Sequence, residues 1–193
     1  MKRNPWDRPP IPPHGDPHES ITYAAIGAFL TQWEMLESEL SHLYAIFIGK
    51  YFEPEAYDQY YDKSKTFAMR LKSCENAAFI FFTKRPSQAD EGDFSELMKR
   101  VAGFSERRHE IAHGVVRPYL FYARLTEWSD PMNRDITPTC IAPPHYQRNW
   151  FTATHLPKYV YGAPQIDRMT KHLKDLLFDL LKFKHRFASN DDT

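Results

Sequence analysis

Apolar residues recur at helical spacing in four stretches of the chain, and each stretch carries its own start and stop signals. In the first, Ile21, Ala25, Phe29, Trp33, Leu36, Leu40, Leu43 and Phe47 share one face and run up to Gly49. Asp16-Pro17-His18-Glu19 precedes it, with an acid at the cap, proline at the first helical position and Glu three residues on. The second runs from about Ser64 to Thr83 with Phe67, Leu71, Cys74, Ala78 and Phe81 inward, and Lys84-Arg85-Pro86 ends it. In the third, Phe94, Leu97, Val101, Phe104 and Ile111 fall on one side, between an Asp93/Glu96 capping box and a terminating Gly114. The fourth opens at Ala163-Pro164 and has the cleanest stripe: Ile166, Met169, Leu173, Leu176, Leu177, Leu180, Phe183 and Phe187.

The period changes between these stretches. A Tyr-rich piece (Tyr57, Tyr60, Tyr61) follows the first helix, and residues 87–92 read as a polar loop before the third. From Val115 to Leu125, and again from Trp150 to Leu156, the residues favour short strands, with a Pro-rich loop from Pro131 to Pro144 between them. Residues 1–15 are Pro-rich and aperiodic, and read as a disordered arm. Within it Trp6, Arg3 and Arg8 are the residues that could pack on a partner, and residues 188–193 are a polar tail. The pattern therefore predicts an all-α bundle of about four main helices, one domain over 16–187. A small β-hairpin-like insert (115–161) precedes the last helix.

Composition narrows the function classes. The 193 residues carry a formal net charge of +0 with pI near 7.1, so any anion site is local rather than global. The two cysteines, Cys74 and Cys140, lack disulfide-framework or metal-ligand spacing and fit a reducing cytoplasm. No apolar run reaches membrane length, so a membrane partner is not expected.

The chemistry concentrates in Ser105-Glu106-Arg107-Arg108-His109-Glu110-Ile111-Ala112-His113-Gly114. Arg108 falls on the apolar face of the third helix, and a guanidinium there needs a carboxylate, an anion or an interface. His109-Glu110-Ile111-Ala112-His113 is also a literal H-E-x-x-H, which elsewhere supplies two zinc ligands and a general base. On that reading His109 and His113 are zinc ligands and the protein is a zinc hydrolase. Against it stand the charge at Arg107 and the lack of a further His in Gly114-Val115-Val116-Arg117-Pro118-Tyr119, where a third ligand would fall, so that a later acidic residue such as Glu127 or Asp135 would have to serve.

Arg108-x4-His113, with polar His109 after the Arg, resembles the R-x4-6-H signature of the HEPN superfamily of all-α domains. The first helix, with Trp33-x-x-Leu36-Glu37-x-x-Leu40, is similar to the pattern associated with that group, and the resemblance covers roughly residues 17–187. It implies a metal-independent endoribonuclease without cofactor, working on single-stranded RNA at a composite site in a homodimer. Arg108, His113 and His109 would be the catalytic residues, with Glu110 and Glu37 in support. Glu37 is expected to pair with Arg108, with Glu34 and Glu39 as alternatives. Defence and toxin–antitoxin roles, with a cognate antitoxin as partner, belong to the same implication. A non-catalytic module that binds a nucleotide, RNA or a protein is the alternative. His145, Arg148, His155 and Lys158 in the insert, and Lys171, Lys174, Lys182 and Lys184 on the last helix, are candidates for phosphate contact, although such side chains are most simply solvated.

Overall fold

The structure, a computed structural model, describes residues 3–62, 66–119, 138–144, 149, 152 and 157–188. In chain order the elements are α1 (Glu19–Phe47), α2 (Pro54–Asp62), α3 (Phe67–Lys84), α4 (Gln88–His113), β1 (Val115–Pro118), β2 (Thr139–Ala142) and α5 (Ala163–Ala188). The fold is all-α, with one small antiparallel pair of strands ahead of the last helix. No described helix is long and apolar enough to cross a membrane. Two compact units divide the chain, and α1, α4 and α5 each contribute one part to each.

One unit joins residues 32–105 to 173–193, and its described regular elements are all helices. Its core is largely the predicted stripes: Trp33, Leu36, Leu40 and Leu43 of α1, Cys74 and Ala78 of α3, Phe94, Leu97 and Val101 of α4, and Leu176, Leu180 and Phe183 of α5 are all buried. In α3, however, it is Phe82 that is buried, while Phe67, Leu71 and Phe81, expected inward, are half-buried. Phe47 is an aromatic hub, its ring centroid 5.1 Å from Phe81, 5.4 Å from Phe94 and 5.7 Å from Phe82. These contacts are tilted or edge-to-face, the arrangements that ring quadrupoles favour. The Tyr-rich piece is helix α2, a nine-residue element too short to display a period, whose Ala56 and Tyr60 are buried.

Helix ends in this unit depart from expectation in instructive ways. Gly49 stops α1 as predicted, at φ 70°, with the Lys50 N–H donating to Ala45 O at 2.9 Å. The cap of α4 is not Asp93 but Ser87: the Asp90 N–H donates to Ser87 Oγ at 3.3 Å, and Ser87 Oγ–H donates to the Asp90 carboxylate at 2.7 Å. The polar loop expected at 87–92 is therefore mostly helix, and Asp93 instead pairs with Arg186 at 2.7 Å. Glu37 is buried, ion-paired with Arg70 of α3 and accepting from Trp33 Nε1 at 3.1 Å. The ion pair placed on Glu37 is thus with Arg70, where Arg108 was expected. Glu39 takes Lys184, so that lysine is buried and paired rather than solvated.

The other unit, residues 1–31 with 106–172, is built around β2. All four β2 residues are buried, because both of its edges are occupied. One edge pairs with β1, from Val115↔Ala142 to Pro118↔Thr139. On the other, Thr139 exchanges backbone hydrogen bonds with Asp16 (2.7 and 2.8 Å), and Ile141 does so with Tyr161 (2.9 and 3.0 Å). The partner of β1 was expected at Trp150–Leu156, of which only Thr152 is described; it is instead a piece of the Pro-rich loop. Residues 120–137, Glu127 and Asp135 among them, and His145, Arg148 and His155 lie outside the described residues.

Asp16 was read as the cap of α1, which in fact begins at Glu19. Its buried carboxylate instead accepts the Ala163 N–H, at 3.0 and 2.9 Å, at the first residue of α5. It also accepts Thr22 Oγ1–H at 2.6 Å. That bond explains why Thr22, and not the predicted Ile21, is the buried residue at the start of α1. The arm over residues 3–15 is not a free tail. Pro12 is buried with its carbonyl accepting from the Tyr119 hydroxyl, and Gln165 donates to Pro10 O at 3.3 Å.

Candidate active site

The last turns of α4 carry the whole motif, and the helix sorts it into two faces. Arg107, Glu110 and Ile111 point inward and are buried, whereas His109, Ala112 and His113 are exposed and Arg108 is half-buried. The sequence pattern put Arg108 on the apolar side; the more deeply buried guanidinium is that of its neighbour, Arg107.

Glu110 is the centre of the inward face. Arg8, from the N-terminal arm, donates through Nε at 2.7 Å and through its terminal nitrogen at 2.6 Å to Oε1. The Tyr161 hydroxyl donates to Oε2 at 2.5 Å, and Arg107 Nε lies 3.1 Å from the same oxygen. The Tyr159 hydroxyl donates to the Glu110 carbonyl at 3.0 Å, satisfying one of the last four carbonyls of the helix, which have no intrahelical donor. Arg107 also reaches the exposed Glu106 at 2.9 Å, so two carboxylates face two guanidiniums. Burial, then the adjacent Glu110 charge, pushes the Tyr161 hydroxyl well above the usual phenol range, so it stays a donor at any ordinary pH.

The outward face holds the two imidazoles. Four residues apart on α4, the rings of His109 and His113 meet edge to face with centroids 4.5 Å apart. Partial burial, the neighbouring His113 and the Arg108 charge together hold His109 below the usual imidazole range, against the opposite pull of Glu110. Helix geometry sets Arg108 and His113 about 140° apart around the axis and about 7.5 Å along it, too far to converge on one atom within a single copy.

This arrangement bears directly on the H-E-x-x-H pattern. Its glutamate is turned away from the histidines and neutralised by Arg8, Arg107 and Tyr161, so it is not placed to activate a water between them. Among the described residues, no three His, Cys, Asp or Glu side chains are grouped to hold a metal ion. Glu37 belongs to the helical unit with Arg70 as partner. Cys74, buried at the core, has its thiol pushed up to about 12 by that burial, which suits a core residue and not a nucleophile.

Sequence reading missed Arg8, Arg107, Tyr159 and Tyr161. The Arg107/Glu110 spacing of three was a usable signal for an inward ion pair. Arg8 and the tyrosines join Glu110 from 102, 49 and 51 residues away, and no local pattern announces that. Comparison with known proteins adds no relative: no protein family, curated protein or solved structure matches the chain.

Proposed function

We propose that the chain is a metal-independent endoribonuclease that cleaves single-stranded RNA, with His109, His113 and Arg108 as its catalytic residues. The observation that carries the reading is the pair of exposed imidazoles held 4.5 Å apart beside Arg108, with the intervening Glu110 turned inward and neutralised. A neutral His109 takes the proton of the ribose 2′-hydroxyl, whose oxygen attacks the adjacent phosphorus. His113 gives a proton to the departing 5′-oxygen, and the products are a 2′,3′-cyclic phosphate and a 5′-hydroxyl. Arg108 offsets the charge that builds on the phosphorane. Because Arg108 and His113 diverge on the helix, the complete site is assembled from two copies of α4 facing each other across a two-fold axis. The second imidazole pair then lies on the far side of the scissile phosphate.

The test is cleavage of a mixed-sequence single-stranded RNA in excess EDTA, with DNA of the same sequence alongside. The expected result is cyclic-phosphate ends, intact DNA because it lacks the attacking hydroxyl, and losses of about 10²- to 10⁴-fold for His109→Ala and His113→Ala. A wild-type protein that leaves RNA intact, or that cuts only when a metal is supplied, rejects the proposal.

A further inference from the structure

We propose that His109 and His113 also form a two-imidazole clamp for a transition-metal dication of the zinc and copper class, and that this ion blocks the site rather than serving it. Two histidines one helical turn apart, both exposed and with ring centroids at 4.5 Å, need only side-chain rotation to bring one nitrogen of each onto a common ion. Imidazole is a favoured ligand of this class of metal, and it binds in its neutral form.

The surrounding charges fix what such an ion can do. Arg108 opposes a dication and limits affinity. Glu106, three residues before His109 and exposed, offsets part of that charge, although Arg107 already engages it at 2.9 Å. The inward Glu110 is neutralised by Arg8 and Arg107, so a bound ion has no base to take a proton from its water. With no hydrolytic base and with both imidazole lone pairs taken, the metal competes with proton transfer at those nitrogens. Affinity rises with pH as the imidazoles lose their protons, the direction expected for a ligand that must be deprotonated.

The binding half stands independently of the ribonuclease reading; the inhibition half rests on it. The full chain, stripped with EDTA and dialysed free of it, is titrated with zinc chloride by calorimetry at pH 7.5 and pH 6.0. His109→Ala, His113→Ala and, as a control elsewhere on the surface, His185→Ala are titrated in parallel. The expected result is one saturable site, weaker at pH 6.0, weakened at least about tenfold by either α4 substitution and unchanged in His185→Ala. Circular dichroism confirms that the variants fold. Equal affinity in wild type and His113→Ala, or no saturable site, overturns the clamp. In the RNA assay zinc should inhibit with the same midpoint as binding, and EDTA should reverse it. Binding without inhibition of an active enzyme overturns the blocking role alone. Turnover that appears only with zinc would overturn both the blocking role and the metal-independent reading.

Discussion

At the scale of single residues the molecule depends most on Glu110, because a carboxylate this deeply buried is tolerated only while its partners remain. Replacing Glu110 with alanine leaves the buried Arg107 guanidinium facing only the exposed Glu106, and the expected loss is about 3–5 kcal/mol in urea denaturation. Tyr161→Phe keeps the ring and removes one charge-assisted hydrogen bond, for about 1.5–3 kcal/mol. Arg8→Ala should cost under about 1 kcal/mol, since that side chain is 43% exposed and water screens its pair. The reverse ranking, with Arg8 dominating, would mean that the arm and not Tyr161 holds the carboxylate. The titration of His109 gives a separate reading of the outward face. Arg108→Ala removes a charge that opposes its protonation, so its ring resonances should titrate at higher pH than in wild type; an unchanged curve would mean the guanidinium does not act on the imidazole. The presence of Arg108, His109 and His113 at one helix end was legible in the sequence, because i to i+4 spacing is a local property. The direction of Glu110 was not: H-E-x-x-H fixes where a glutamate sits on a helix, but its orientation is decided by Arg8 and Tyr161, which arrive from remote parts of the chain.

Helices, as elements, were predicted better by their interiors than by their ends. Every residue of the α4 stripe named from the pattern is buried, from Phe94 to Ile111, because about 100° per residue leaves little freedom in which side faces inward. The ends are ambiguous because Asp, Ser and Glu abound near the start of α4, and two overlapping frames, Ser87/Asp90 and Asp93/Glu96, both satisfy the capping spacing. Ser87→Ala should therefore cost about 1 kcal/mol in thermal or urea unfolding, the usual value of a lost cap. Asp93→Ala should cost less, since it removes only an exposed pair with Arg186. A larger effect at Asp93 would restore the frame read from sequence. Gly114 ends α4 for a reason the sequence pattern did not supply. It has no positive φ; a Cβ there would instead stand 2.5 Å from the Ile141 side chain and 2.9 Å from the Glu110 carbonyl. Gly114→Ala should cost about 1–3 kcal/mol through forced repacking, and Ile141→Val in the same background should recover part of it by shortening the side chain that is struck.

For the whole molecule, what escaped the sequence is the order in which distant segments meet. Four amphipathic stripes were enough to anticipate the all-α class, since each stripe must bury its face against another, and the strand-favouring residues after Gly114 were enough to anticipate a small β element before α5. Nothing local shows that Thr139–Ala142, flanked by prolines, becomes a fully buried strand, or that the N-terminal arm is pinned at Arg8, Pro10, Pro12 and Asp16. Asp16 shows the consequence. Its position suits a cap for α1, yet its carboxylate closes the start of α5, holds Thr22 of α1, and sits on a residue whose backbone pairs with Thr139. One residue, through its carboxylate and its backbone, thus ties three separated stretches together. Asp16→Ala should leave the Ala163 N–H without its acceptor and cost about 2–3 kcal/mol in urea unfolding. Asp16→Asn, which keeps an acceptor oxygen but gives up the negative charge at the N-terminal end of α5, should lose noticeably less. If Asp16 were only the cap of α1, the damage would appear as fraying confined to the first turns of that helix. The link between segments predicts faster amide exchange at Ala163 and Thr139 as well, because losing this carboxylate loosens the contacts on which both depend.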